Sequence, residues 1–173
     1  LSVLNLKNKS FSATAEIEVG SRQANGVIVA QGGRFGGWSV YFKDGCLCFV
    51  YNVLGIRYFP TKSTQPISAG KHQVRMEFAY DGGGMGKGGN VTLYTDGQQV
   101  AAGRVDATQA MIFSADETLD IGCEYGTPVS PDYTTAESKF TGRVHWVQLD
   151  AGVDDHDHFI DPEERWRVAM ARQ

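Results

Sequence analysis

Apolar residues recur at every second position along most of this chain, and helical spacing is rare. From Ser10 to Val19 the set Phe11, Ala13, Ala15, Ile17 and Val19 alternates with Thr14, Glu16 and Glu18. That pattern predicts a strand with one buried face. Gly26 to Ala30 is a short continuous apolar run and reads as a buried strand. Trp38 to Phe42 and Cys46 to Tyr51 flank Asp44-Gly45, a two-residue hairpin signal. Ile56 to Phe59 adds a further short candidate, and His72 to Tyr80 alternates through Val74, Met76, Phe78 and Tyr80. Val91 to Thr95 and Gln98 to Val105 flank Asp96-Gly97, which repeats the turn chemistry of the first hairpin. Leu119 to Cys123 and Phe140 to Leu149 complete the set. In the last of these, Val144, Trp146 and Gln148 alternate with Arg143, His145, Val147 and Leu149. Roughly ten short strands joined by turns, with no crossover helices, predict an all-β, antiparallel two-sheet sandwich.

The pattern changes near the end. Residues 1–150 read as the β-sandwich domain and 151–173 as a polar linker and a short C-terminal helix. Asp161-Pro162-Glu163-Glu164 supplies an N-cap, a proline at the first helical position and a capping-box glutamate. Trp166, Ala169 and Met170 fall on one face of that helix, which is too short to stand alone. It must dock on the sandwich or on a partner.

Two glycine clusters interrupt the strands, Gln31 to Gly37 and Asp81 to Gly89. Each marks a tight turn or a close backbone approach. Gly84-x-Gly86-x-x-Gly89 matches the dinucleotide fingerprint formally, but Val91 to Thr95 is β-rich where that motif needs a helix. The loop therefore reads as an inter-strand connection. The Glu-x-Asp-x-Glu array of sandwich glycosidases also fails, because Thr118 and Gly122 flank Asp120 where acids are required. No Gly-x-Ser-x-Gly elbow is present. Asp154-Asp155-His156-Asp157-His158 lacks the calcium-loop spacing and reads as a linker.

A length of 173 residues is ample for one domain. The net charge of −4 argues against a nucleic-acid partner, and no apolar run is long enough for a membrane span. Cys46 and Cys48 lie two apart in one strand, about 6.6 Å between α-carbons. That is near the limit for a relaxed disulfide, so both are expected reduced, with Cys123 alone. The chain opens at Leu1 without a methionine or a signal-like segment. It reads as a fragment or a processed chain, with any export signal upstream; neither cytoplasm nor periplasm is selected.

Arg34, Lys87, Trp38 and Tyr58 are candidates for an anionic-sugar pocket, in which cations take a sulfate or carboxylate and aromatics take a ring face. The simpler arrangement buries Trp38 and leaves Arg34 at the surface. Asp81 sits in the same glycine loop as Lys87 and completes the candidate ligand- or interface-binding set.

From Phe11 to Leu149 the order of segments resembles the C-terminal domain of bacterial arylsulfatases. The resemblance is carried by Gly26-Val27-Ile28-Val29-Ala30-Gln31-Gly32-Gly33-Arg34-Phe35-Gly36-Gly37-Trp38, Tyr51-Asn52 and Ala69-Gly70-Lys71-His72. It continues through Glu77-Phe78-Ala79-Tyr80-Asp81-Gly82-Gly83-Gly84, Gly86-Lys87-Gly88-Gly89, Asp116-Glu117-Thr118, Asp120-Ile121-Gly122 and Gly126-Thr127-Pro128-Val129-Ser130. It implies a concanavalin A-like, laminin-G-like jelly roll. It also implies a parent sulfuric ester hydrolase whose catalytic domain holds a Cys/Ser-x-Pro-x-Arg motif, the first residue becoming formylglycine beside a calcium ion. None of Cys46, Cys48 and Cys123 has proline two places on, so no catalysis is expected from this chain alone, and no cofactor within it. The expected partner is the arylsulfatase catalytic domain of the same parent chain. A sulfated or acidic glycan is the alternative.

Overall fold

A computed structural model describes residues 4–114 and 118–152. The expected C-terminal helix, the Asp154–His158 cluster and Asp116-Glu117 lie outside the described residues.

Among the described residues ten strands form two five-stranded sheets, every pairing antiparallel. They are β1 (Phe11–Val19), β2 (Gly26–Gly33), β3 (Gly36–Lys43), β4 (Cys46–Val53), β5 (Arg57–Lys62), β6 (Gly70–Tyr80), β7 (Gly89–Thr95), β8 (Gln98–Val105), β9 (Leu119–Ile121) and β10 (Arg143–Ala151). The first sheet runs β10-β1-β6-β7-β8 and the second β5-β4-β3-β2-β9. This is a jelly-roll β-sandwich, the class the alternation predicts. Among the described residues no helix is long and apolar enough to cross a membrane.

Side-chain alternation builds the core. Ala13, Ala15 and Ile17 of β1, Val74, Met76 and Phe78 of β6, and Val91 and Leu93 of β7 meet Trp38, Val40 and Phe42 of β3 and Leu47, Phe49 and Tyr51 of β4. Phe11 packs on Trp38 and Phe78 at ring separations of 5.1 and 5.5 Å. A second, smaller cluster lies on the outer face of the second sheet, where Val129 and Tyr133 of the 122–142 connection cover Val27, Ala30, Tyr41, Cys48 and Val50.

Two bulges break the simple alternation. One between Val27 and Val29 lets Ile28 and Val29 both reach the core while Val27 and Ala30 face out. The other lies in β10, where Ile17 pairs Val144 but Glu16 pairs Trp146. His145 is the extra residue, so the core set is Val144, Val147 and Leu149, and the single alternation expected for this strand is corrected. Asp44-Gly45 and Asp96-Gly97 have φ of 52° and 78°, and 51° and 79°, as two-residue hairpin turns of the expected kind require. Pro60 is tolerated in β5 because β5 is an edge. Cys46, Cys48 and Cys123 are free thiols.

Candidate functional site

The meander β2 to β5 places the β2–β3 turn and the β4–β5 turn at one end of the sandwich. The β6–β7 loop and the residues after β8 reach the same end, and hydrogen bonds tie the four segments together. Gln109 Oε1 accepts the Leu54 N–H at 3.1 Å, and Gln109 Nε2 donates to Ile112 O at 2.8 Å. Ser114 N donates to Gly36 O at 3.2 Å. Asn8 bridges the other pair, donating to Ala110 O at 2.8 Å and accepting from Gly86 N at 2.9 Å.

These segments expose Phe35, Leu54, Ile56, Met85, Met111 and Ile112, each between 59 and 79% exposed apart from Leu54 at 57%. Isolated exposed hydrophobics are ordinary, but a group of six on adjoining loops marks an interaction surface. Leu54 carries a second signal. Among the described residues four non-glycines have positive φ: Asn8, Asp44, Leu54 and Asp96. Asn and Asp adopt this conformation readily, whereas for a leucine it costs roughly 1–2 kcal/mol. Leu54 (φ 58°) and Gly55 (φ 68°) thus form a hairpin turn with an unsuitable first residue whose side chain points into solvent. A local rule broken at an exposed position points to selection for contact.

The residues singled out in the sequence are placed separately. Arg34 lies in this end, exposed, its guanidinium 5.9 Å from the Phe35 ring centroid. Lys87 is exposed in the β6–β7 loop at the same end, where its carbonyl accepts the Thr108 hydroxyl at 2.6 Å. Asp81 is paired with Arg104, and that guanidinium holds its carboxyl below the usual range. Trp38 is wholly buried between the sheets, its Nε1 donating to Gln31 Oε1 at 3.2 Å. It therefore cannot line a surface pocket. Tyr58 packs beside the second apolar cluster, on the outer face of the second sheet. The five do not converge. The six exposed apolar residues are not legible in the sequence because exposure is a long-range property; Leu54-Gly55-Ile56, a glycine between large apolar residues, is the one local sign.

The opposite end holds a cavity of about 290 Å³ lined by Leu47, Pro66, Ile67, His72, Asp96 and Val100 among others. At its rim His72 Nδ1 stands 2.6 Å from Asp96 Oδ2, and His72 Nε2 stands 3.2 Å from Ser68 Oγ. The order Ser-His-Asp matches a hydrolase triad in outline. The same Nε2 is 2.9 Å from the Ser68 carbonyl oxygen. Ser68 on one side and Asp96 on the other thus let His72 clip the 63–69 loop to the β7–β8 turn.

Beneath the 122–142 connection lies a buried polar set. Tyr41 donates to Asp132, Ser130 Oγ to Tyr41 Oη at 3.2 Å, and Tyr133 Oη to Ser39 Oγ at 2.8 Å. Val129 N donates to both Glu124 carboxylate oxygens, at 3.3 and 3.2 Å. Burial dominates there and raises the Glu124 carboxyl to about 7. Burial likewise pushes the Cys48 thiol up to about 12, which makes it an inert packing residue.

No protein-family model matches the chain, and no curated protein sequence matches it. Among solved structures it is similar to the native heptameric SAP-like pentraxin of Limulus polyphemus. The TM-score is 0.56 at 18% identity, over 88% of this chain and 70% of the pentraxin. The binding domain of botulinum neurotoxin serotype C1 aligns at a TM-score of 0.40 and 13% identity, over 64% of this chain and 30% of that one. Nothing in these matches links the chain to a sulfatase. What the pentraxin likeness shows is the fold: this chain is a concanavalin-like jelly-roll β-sandwich.

Proposed function

We propose that this chain is a non-catalytic β-sandwich domain of an arylsulfatase that docks on the enzyme's catalytic domain through its apolar loop end, supporting that domain by packing or by shaping its cleft. The observation that carries this reading is the exposure of Phe35, Leu54, Ile56, Met85, Met111 and Ile112 on adjoining loops, with Leu54 held in a left-handed turn. Such a group is what an interface leaves behind when its partner is absent. Arg34 and Lys87, exposed at the same end, supply cations for carboxylates on the partner's rim. The choice of an arylsulfatase as the partner is supported by the sequence resemblance. On this reading the formylglycine nucleophile and the calcium ion would belong to that partner.

The test is a calorimetric titration of a separately produced arylsulfatase catalytic domain with this chain. Saturable binding that weakens at least tenfold in Leu54→Asn and Ile56→Ser supports the reading. Absence of heat with both proteins folded contradicts it.

A sulfated-glycan module is the second reading, favoured by Arg34, whose guanidinium is exposed and faces only the Phe35 ring among the described contacts. It is the weaker one, because Trp38 is buried and Tyr58 stands on another face. Titration with sulfated oligosaccharides, with Arg34→Ala as the control, separates the two.

A further inference from the structure

The cavity at the end opposite the apolar loops is built from both sheets and from the chain that crosses between them. Leu47 of β4 lines it from the second sheet. His72 of β6, Asp96 of the β7–β8 turn and Val100 of β8 line it from the first, and Pro66 and Ile67 from the 63–69 connection. Hydrogen bonds fix that connection to both sheets. Ser63 N donates to Leu47 O at 2.8 Å, and Leu47 N donates to Ser63 Oγ at 3.0 Å. Ile67 N donates to Gly45 O at 2.8 Å. On the other side His72 Nε2 stands 2.9 Å from the Ser68 carbonyl oxygen. The connection cannot settle into the space without breaking these contacts, and about 290 Å³ stays open. Protein interiors seldom leave voids larger than a water, so an open space with a bonded frame points to an occupant. Its lining says which kind. Leu47, Pro66, Ile67 and Val100 are apolar, and among the described residues that line it there is no lysine or arginine. Asp96 opens the β7–β8 turn with φ of 51°. There Oδ1 accepts the Gln73 N–H at 2.8 Å and Oδ2 stands 2.6 Å from His72 Nδ1. An ionised carboxylate has about four acceptor positions, and these contacts use two. With its side chain 47% exposed, Asp96 keeps the others open at the rim.

We propose that this cavity binds a small organic amine, its apolar body among Leu47, Pro66, Ile67 and Val100 and its ammonium on the Asp96 carboxylate. A charge-assisted hydrogen bond to a carboxylate held in place by a backbone N–H and an imidazole is among the stronger polar contacts a small ligand can make. An anionic ligand would meet the same carboxylate as a like charge, and a wholly apolar one would leave it unused. Pockets of this kind pair apolar walls with a few placed polar groups. At the ~30 Å³ that each water takes in the liquid, the volume suits about ten non-hydrogen atoms. A single ring bearing a short amine arm has that size. The site is remote from the apolar loop end, and the inference stands independently of the docking reading.

The test titrates phenethylamine into the methyl-labelled full chain at neutral pH and follows the NMR signals of Leu47, Ile67 and Val100. Saturating shifts at these three residues are expected, with Leu54, Ile56 and Ile112 of the loop end unmoved. 2-Phenylethanol and 3-phenylpropionate, which share the ring and arm but lack the positive charge, should bind at least tenfold more weakly. Asp96→Asn keeps a residue suited to the left-handed turn and an acceptor for the Gln73 N–H, so its fold should survive. Its affinity for phenethylamine should fall at least tenfold. A second variant, Val100→Phe, fills the space and should remove the shifts at Leu47 and Ile67. No shift at the three residues with millimolar amine overturns the proposal. So does equal binding of the alcohol or the acid, or an unchanged affinity in Asp96→Asn.

Discussion

Gln109 holds Leu54 in place: its Oε1 accepts the Leu54 N–H at 3.1 Å, while its Nε2 donates to Ile112 O at 2.8 Å. One buried carboxamide thus fixes the β4–β5 turn against the segment after β8 and sets two exposed apolar groups side by side. The surface is thus built on a polar linchpin.

Gln109→Ala should leave the Leu54 N–H and the Ile112 carbonyl without partners. A loss of about 1–3 kcal/mol is expected, with faster hydrogen exchange at Leu54 than at core amides of β3 and β4. Gly36→Ala should act on the same junction, since φ of +141° and a methyl running into the Gln109 side chain both oppose it. Denaturant melts of the two variants and the double variant should show less than additive losses.

Leu54→Asn should stabilise the isolated chain, because asparagine adopts the left-handed turn with less strain. The gain expected is about 1 kcal/mol, or a rise of roughly 2–4 °C in Tm for a chain of this size. A destabilised variant in a thermal melt would remove the argument that leucine is kept there for contact.

Stability should fall as pH rises through the Glu124 range. The native carboxyl is raised from 4.5 to about 7. Below 4.5 both states hold the proton and the contribution is complete. Between 4.5 and 7 the unfolded chain releases a proton that the native state retains, and stability declines until it levels above 7. Glu124→Gln, which keeps an acceptor for the Val129 N–H, should flatten that slope. Its advantage at pH 8 should be roughly 3 kcal/mol, with little change at pH 4. Urea titrations at the two pH values read this directly.

Trp38 is a core residue, so Trp38→Ala should cost about 3–5 kcal/mol and Trp38→Phe less. A ligand-contacting tryptophan would instead lose affinity with little loss of stability, and melts beside sugar titrations tell the two apart.

Much of the fold is legible in the chain because it rests on local rules. Strict alternation in β1 and β6, and Asp-Gly at two turns, each specify one backbone state. The bulge at His145 is not legible, since it depends on how β10 meets β1. The Leu54-Gly55 turn escapes for the opposite reason, because its first residue violates turn preference. Ile56 to Phe59 accordingly begins a strand one residue early, before β5 at Arg57. Of the candidate site, Arg34 and Lys87 are legible as loop cations, whereas Trp38 was ambiguous until its partners Phe11 and Gln31 were known. The exposed apolar group is assembled from four distant segments, and no local pattern announces it.

The most direct measurement is hydroxyl-radical oxidation of Met85 and Met111, read by mass spectrometry with and without the arylsulfatase catalytic domain. Both methionines are exposed in the isolated chain and should oxidise rapidly. In the complex their oxidation should slow several-fold, together with labelling of Phe35, while Tyr125, exposed in the 122–142 connection, is unchanged. Equal rates for Met85, Met111 and Phe35 in the two samples, under conditions where the proteins are associated, would show that the apolar loop end is not the interface.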